Sequence, residues 1–274
     1  MTYIKITPSR GWVGLDIPEL LRFRHLLVAF AERDVKLRYK QTLLGVAWVI
    51  VQPLFAAGIF SFVFGVVAGM KTTSGESYFM FSLAGLVAWN IFGNTLTKAA
   101  VSMVGNTHLV TKVYFPRLIL PMSTTASTMV DFAAPAVLLL ILELASGKVP
   151  GWAILFVPVW ALLALLLALG LGLIAAALTI DYRDVQYLLP LVTPFLLYAS
   201  PVAYDVSHVP VRFQPLYYTV NPMASIIEAF RWSMIGGQAP QWPYLAYAAV
   251  CSVVVFLVGA AIFRRTERRV ADVI

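Results

Sequence analysis

Long apolar runs separated by short polar or basic stretches set the pattern of this chain. Six of them, over residues 43–70, 78–103, 122–144, 152–180, 187–206 and 242–263, are long enough to predict membrane-spanning helices. The first would measure roughly 40 Å if fully helical and so crosses with tilt. Ahead of it, Leu20, Leu21, Phe23, Leu26, Leu27, Phe30 and Val35 recur at helical spacing, with Arg22, Arg24, Glu32 and Arg33 between them. That spacing predicts an amphipathic helix over 17–40 lying in the membrane interface, with Pro18 in its first turn. A surface helix packed on a partner would carry the same pattern.

Polar residues inside the runs narrow their roles. Gln41, Gly45, Trp48, Gln52 and Pro53 interrupt what would otherwise be a plain anchor, and such residues face another helix or a wet cavity. Asn90 and Asn94 in the second run are expected to face the bundle or a pore, because an unpaired amide in hydrocarbon is costly. Asp131 falls near the middle of the third run, with Pro135 one turn on. Residues 207–241 contain no stretch able to span, yet they are too apolar for a solvated loop and too long for a turn. Asn221-Pro222 reads there as the start of a helix ended by Gly236-Gly237, with Leu216 to Val220 a shorter helix before it. The expectation is a re-entrant outer hairpin between spans five and six that closes a channel, with Glu228 and Arg231 paired on one face. A lid folded on the outer surface is the other reading.

Composition agrees with the pattern. Of 274 residues, 60% are hydrophobic and only 12% charged, which excludes an ordinary soluble domain. A net charge of +7 would suggest nucleic acid in a soluble protein, but here its distribution is topological. Of the 20 Lys and Arg residues, eight precede the first span, three (Lys98, Lys112, Arg117) flank the second-to-third loop, Arg183 follows the fourth, and four close the chain. Lys71, Lys148, Arg212 and Arg231 fall on the other side, so sixteen oppose four and both termini are expected in the cytoplasm. The first residues lack a signal-peptide core and cleavage site, so the N-terminus is expected to be retained there.

Several chemistries lack their residues. No phosphate-cradling G-x-x-x-x-G-K-[ST] occurs, so no ATPase is expected within this chain. His25, His108 and His208 are far apart, Cys251 is alone, and neither a metal site nor a catalytic nucleophile is predicted. An integral-membrane glycosyl- or phospho-transferase would need clustered carboxylates or basic residues on one membrane face. The acidic residues are scattered, although Asp181 and Asp184 flank Arg183 in a short loop.

Four motifs carry a more specific reading. The first is Arg33-Asp34-x-Lys36-x-Arg38-Tyr39-Lys40-x-x-x-Leu44-Gly45-x-x-Trp48, followed by Pro53-Leu54. The second is Arg183-Asp184-Val185 with Pro190, Pro194 and Ser200-Pro201-Val202-x-Tyr204. The third is Asn221-Pro222 with Glu228, Phe230 and Arg231, and the fourth is Phe115-Pro116-x-x-x-x-Pro121. Together they resemble the ABC-2-type permeases that export cell-surface polysaccharides: O antigen, capsule and teichoic acid. The resemblance implies a homodimer in the bacterial inner membrane, bound to two separate ABC ATPase subunits that hold the ATP and magnesium. It implies a channel for a lipid-linked glycan, with O antigen the first expectation. Teichoic acid, capsule or a small molecule is the alternative cargo.

The residues add candidate roles. Arg33, Lys36, Arg38 and Lys40 sit where they could attract the diphosphate of a lipid carrier, although positive-inside topology explains the same charges. In the segment 105–121, Tyr114, Phe115, Pro116 and Leu118 are apolar on a polar loop beside Lys112 and Arg117. They suit either a docking surface or a short helix on the membrane. The resemblance makes this the coupling segment, with His108, Lys112, Tyr114, Phe115, Pro116 and Arg117 as its ATPase contacts. Trp48, Phe55, Trp89, Phe92, Tyr198 and Tyr204 are candidate channel-lining rings on which sugars could stack, ordinary packing being the other use of such residues. The outer gate set is Tyr217, Tyr218, Asn221, Pro222, Glu228 and Arg231.

Overall fold

The computed structural model describes residues 17–40, 45, 47–72, 75–113 and 115–267, and every regular element among them is helical. In chain order these are α1 (Ile17–Arg22), α2 (Arg24–Tyr39), α3 (Ala47–Phe60), α4 (Tyr78–Val101), α5 (Thr107–Lys112) and α6 (Ile119–Ala145). They continue with α7 (Val157–Asp181), α8 (Val185–Ala199), α9 (Gln214–Val220), α10 (Pro222–Ile235) and α11 (Trp242–Glu267). Five helical stretches are long and apolar enough to cross a membrane: Ala47–Val67, Tyr78–Val101, Ile119–Ala145, Trp152–Asp181 and Trp242–Glu267.

The amphipathic segment predicted as one helix is two, broken at Phe23. It packs against the bundle instead of lying apart from it. Phe30 is buried with Phe115, Leu118, Ile119, Leu173 and Phe263, and meets Phe115 edge to face at 5.5 Å. The first spanning helix begins at Ala47 in the described residues, its expected start at residues 43 and 44 lying outside them. Its far third, Ser61–Val67, is wound as a π-helix. The helix predicted over 122–144 begins earlier, at Ile119, and the last runs on to Glu267.

The predicted span 187–206 is the largest departure. Its helix stops at Ala199 and has 15 residues, a rise of about 22 Å against the roughly 30 Å of a hydrocarbon core. The stop has a local cause: Ser200 precedes Pro201, and the proline ring drives it to extended dihedrals of φ −97° and ψ 153°.

The core is organised around α4, buried along most of its length and packed against α6, α7, α10, α3 and α8. Helix α7 lies between α4 and α11. It touches α11 at a glycine contact, where a Cβ on Gly259 would come within 2.2 Å of the Gly170 carbonyl oxygen. Such backbone-to-backbone approach is how helices pack where no hydrophobic effect draws them together. By contrast, α3 and α8 keep large apolar side chains exposed, among them Phe55, Ile59, Leu191, Phe195 and Tyr198.

Candidate functional site

Helix α8 ends, as every helix does, on carbonyls that have no partner within the helix and need donors from elsewhere. Here side chains from distant segments supply them. Tyr204, Tyr217 and Asn221 converge on the carbonyl oxygen of Ala199, at 3.2, 3.0 and 3.2 Å, and Asn221 also donates to the Ser200 hydroxyl at 2.9 Å. Arg231 donates from Nη2 to the carbonyls of Pro201 at 2.8 Å and Val202 at 3.2 Å, and from Nε to that of Phe81 at 3.2 Å. The Tyr78 hydroxyl donates to the Ala203 carbonyl. The Ser200–Tyr204 stretch of the second motif and Asn221 and Arg231 of the third are therefore two halves of one hydrogen-bonded plug.

Arg231 is 6% exposed, and its guanidinium also lies over the Phe81 ring, 3.6 Å from the centroid. Gly85 makes room for it: a Cβ there would stand 2.6 Å from Nη2 and 3.0 Å from the Val202 carbonyl oxygen. The ion pair expected between Glu228 and Arg231 does not form. Glu228 instead accepts from the Tyr218 hydroxyl, 2.9 Å from each carboxylate oxygen, and Tyr218 stacks on Tyr244 at 4.5 Å. Three carbonyls hold the guanidinium away from the carboxylate, a competition that i,i+3 spacing cannot reveal. Burial pushes the Glu228 carboxyl up to about 7, while the Tyr218 hydroxyl and Arg231 hold it down and Asp205 raises it further.

At the opposite end of the bundle the basic residues divide. Arg33 pairs with Asp34 at 2.8 Å and lies over the Phe30 ring, Lys36 pairs with Glu32 at 3.1 Å, and Lys40 is exposed. Only Arg38 joins a cluster. It meets Asp131 of α6 at 3.0 Å, where Lys98 of α4 also arrives at 2.8 Å and the Tyr39 hydroxyl donates. Lys98 donates as well to the Ser127 hydroxyl at 3.0 Å. Asp131, 5% exposed, thus ties α2, α4 and α6 together and leaves two cations facing one carboxylate. Lys98 and Asp131 were not among the candidate site residues. Their signal was a charge within an apolar run, which does not name its partner.

The segment 105–121 holds α5 and then a turn into α6. Tyr114 lies outside the described residues. Phe115 and Pro116, expected on an exposed docking surface, are both buried, Phe115 in the chain's own core where Phe30 of α2 packs on it. Arg117 is engaged too, its backbone N–H donating to Glu267 Oε1 at 2.9 Å and its Nη1 to the Glu267 carbonyl at 2.6 Å. Among the described residues of this segment, Gly105, His108, Lys112 and Val113 are the ones that remain exposed.

The six aromatic candidates also separate. Trp89 and Phe92 are buried against each other at 5.1 Å in the core of α4, so neither reaches a face open to a passing chain. Trp48, Phe55 and Tyr198 are exposed, and Tyr204 belongs to the plug.

These features define a multi-pass membrane protein in which irregular backbone near one end is held by buried side-chain donors. The chain belongs to the ABC-2 type transporter family, whose profile matches residues 25–235. It is similar to the O-antigen export system permease protein RfbA of Myxococcus xanthus, 29% identical over 258 residues, covering 93% of this chain and 98% of the relative. To the protein of the same description from Klebsiella pneumoniae it is 26% identical over 250 residues, 91% of this chain and 95% of the relative. To the polysialic acid transport protein KpsM of Escherichia coli it is 25% identical over 245 residues, 86% and 91% of the two chains.

Proposed function

We propose that this chain is the membrane permease of an ATP-driven exporter that moves a lipid-linked cell-surface polysaccharide, O antigen being the substrate class, across the bacterial inner membrane. The observation that carries this reading is similarity along almost the whole chain to O-antigen export permeases of two organisms. Likeness to KpsM supports a second cargo, a polysaccharide of the polysialic acid kind.

In this reading the chain makes six passes with both termini cytoplasmic, supported by the sixteen-to-four charge bias. The fifth pass is α8 extended by the capped segment 200–206, and α9 with α10 forms a re-entrant hairpin that closes the outer end. Two copies associate through the exposed apolar faces of α3 and α8, so that Trp48, Phe55 and Tyr198 border the channel. Two ATPase subunits, which hold the ATP and magnesium, dock at α5 through Lys112 and Val113. The Arg38–Lys98–Asp131 cluster offers one unbalanced positive charge to the diphosphate of the carrier lipid.

Reconstitution tests this function. Purified permease with its ATPase in proteoliposomes should move lipid-linked polysaccharide in an ATP-dependent way, and the permease alone should be inert. Turnover of a sugar or phosphate donor by the permease alone would instead make it a transferase.

A further inference from the structure

Between α9, α10 and the turn at 236–241 lies a half-open cavity of about 190 Å³, lined in part by Asp205, Gln214, Tyr218, Glu228, Trp232 and Gln241. None of the roles given above uses it. We infer that this cavity is a saccharide-binding subsite that takes a single sugar ring, with Glu228 accepting from its hydroxyls and the Trp232 ring as an apolar wall.

The argument begins with hydrogen-bond capacity. A carboxyl group offers about four acceptor sites when ionised and keeps more than one when it holds a proton. Among the described residues Glu228 receives one hydrogen, from the Tyr218 hydroxyl shared between its two oxygens. Arg231, the nearest cation in sequence, turns its Nε and Nη2 to backbone carbonyls. A largely buried carboxylate with spare acceptor sites, facing a cavity, calls for a ligand rich in donors.

The surroundings say which kind. Two carboxylates, Asp205 and Glu228, line the cavity against one guanidinium already engaged, so an anion is not favoured. No cluster of three or more His, Cys, Asp or Glu among the described residues could hold a metal ion. The Gln241 amide can both donate and accept, and Gln214, whose Nε2 donates to the Val209 carbonyl at 3.0 Å, keeps its oxygen as an acceptor, as neutral hydroxyls require. Trp232, one helical turn beyond Glu228, has its ring fixed between Trp152 and Trp242, edge to face at 5.8 Å from each. A fixed aromatic beside a carboxylate and amides matches a pyranose, which has an apolar face and a polar edge. A half-open cavity of this volume admits one pyranose ring. That the ring belongs to the transported glycan rests on the export reading; the chemistry of the cavity does not.

The test uses the permease with its ATPase in lipid nanodiscs and saturation-transfer NMR. The probes are the methyl glycosides of glucose, galactose, mannose, rhamnose and N-acetylglucosamine. At least one should give a signal that falls five-fold or more in Glu228→Gln, which keeps the side chain's shape and an acceptor for Tyr218. Gln241→Leu, on the exposed turn, should weaken the same signal should Glu228→Gln fold poorly. Arg265→Gln, exposed at the far end, should leave it unchanged. No signal from any glycoside, or one that survives both substitutions, overturns the site and leaves the export reading standing. A host that displays its surface polysaccharide without this chain would remove the export reading while a Glu228-dependent signal stood.

Discussion

Arg231 donates to the carbonyl of Pro201 at 2.8 Å, across thirty residues of chain, from a site where it is almost wholly buried. Pro201 stops α8 short, and the guanidinium satisfies the carbonyls that the stop exposes. Removing it leaves the Pro201 and Val202 carbonyls without that donor, at roughly 1–3 kcal/mol each. Arg231→Leu should therefore lower the melting temperature sharply in detergent and abolish export. Arg231→Lys, with no fork to reach several carbonyls, should recover only part of either.

Gly85→Ala tests the same contact from the other side. Its Cβ would come within 2.6 Å of Arg231 Nη2, with the Val202 carbonyl oxygen at 3.0 Å, so the guanidinium must shift. The expected result is the Arg231 defect in weaker form, read by increased labelling of a cysteine placed at Tyr217. A variant as stable and as tightly closed as the parent would contradict the plug.

Asp131 is the carboxylate to which Arg38 and Lys98 are paired. Asp131→Asn leaves both cations without a counter-charge, and breaking a buried pair in this way costs about 3–5 kcal/mol. The double variant Asp131→Asn with Lys98→Met removes one of the stranded cations and should melt higher than Asp131→Asn alone. Equal melting temperatures would mean that Lys98 and Asp131 do not interact.

Glu228 gives a pH signature. Its carboxyl is raised to about 7 by burial, from an ordinary value of 4.5. A raised acid binds its proton more tightly folded than unfolded, so its contribution is complete below 4.5 and is lost as the pH rises through 7. The melting temperature should fall between pH 5 and pH 8, and Glu228→Gln should flatten that fall. Tyr218, Arg231 and Asp205 also face the group, and the comparison with Glu228→Gln isolates its share.

Phe115 and Val113 should behave differently despite their closeness in sequence. Phe115 is 4% exposed against Phe30, so Phe115→Ala should destabilise the permease itself, by about 3–5 kcal/mol. Val113 is 53% exposed, and Val113→Asp with Lys112→Glu should leave the melting temperature unchanged while reducing co-purification of the ATPase.

The helices were legible because period and length are local properties. The start of α10 at Pro222 and its end at Gly236, where φ is +76°, follow from single residues. Partnerships were not legible. Phe115 in a polar loop looks the same whether it waits for another subunit or packs under its own α2. Glu228 and Arg231 stand one turn apart, yet carbonyls freed by Pro201 far upstream decide where the guanidinium goes. Asp131 was visible as a lone acid in an apolar run, but Lys98 and Tyr39 lie 33 and 92 positions away. Trp89 and Phe92 carried no mark separating a ring in the core from a ring beside a pore.

The most direct test of the export assignment is to delete the chain from its host and follow the polysaccharide by compartment. The account predicts that surface polymer disappears while completed lipid-linked polymer accumulates on the cytoplasmic side, and that the intact gene restores display. Normal surface polymer, or loss of polymer synthesis with no accumulated lipid-linked product, would contradict it.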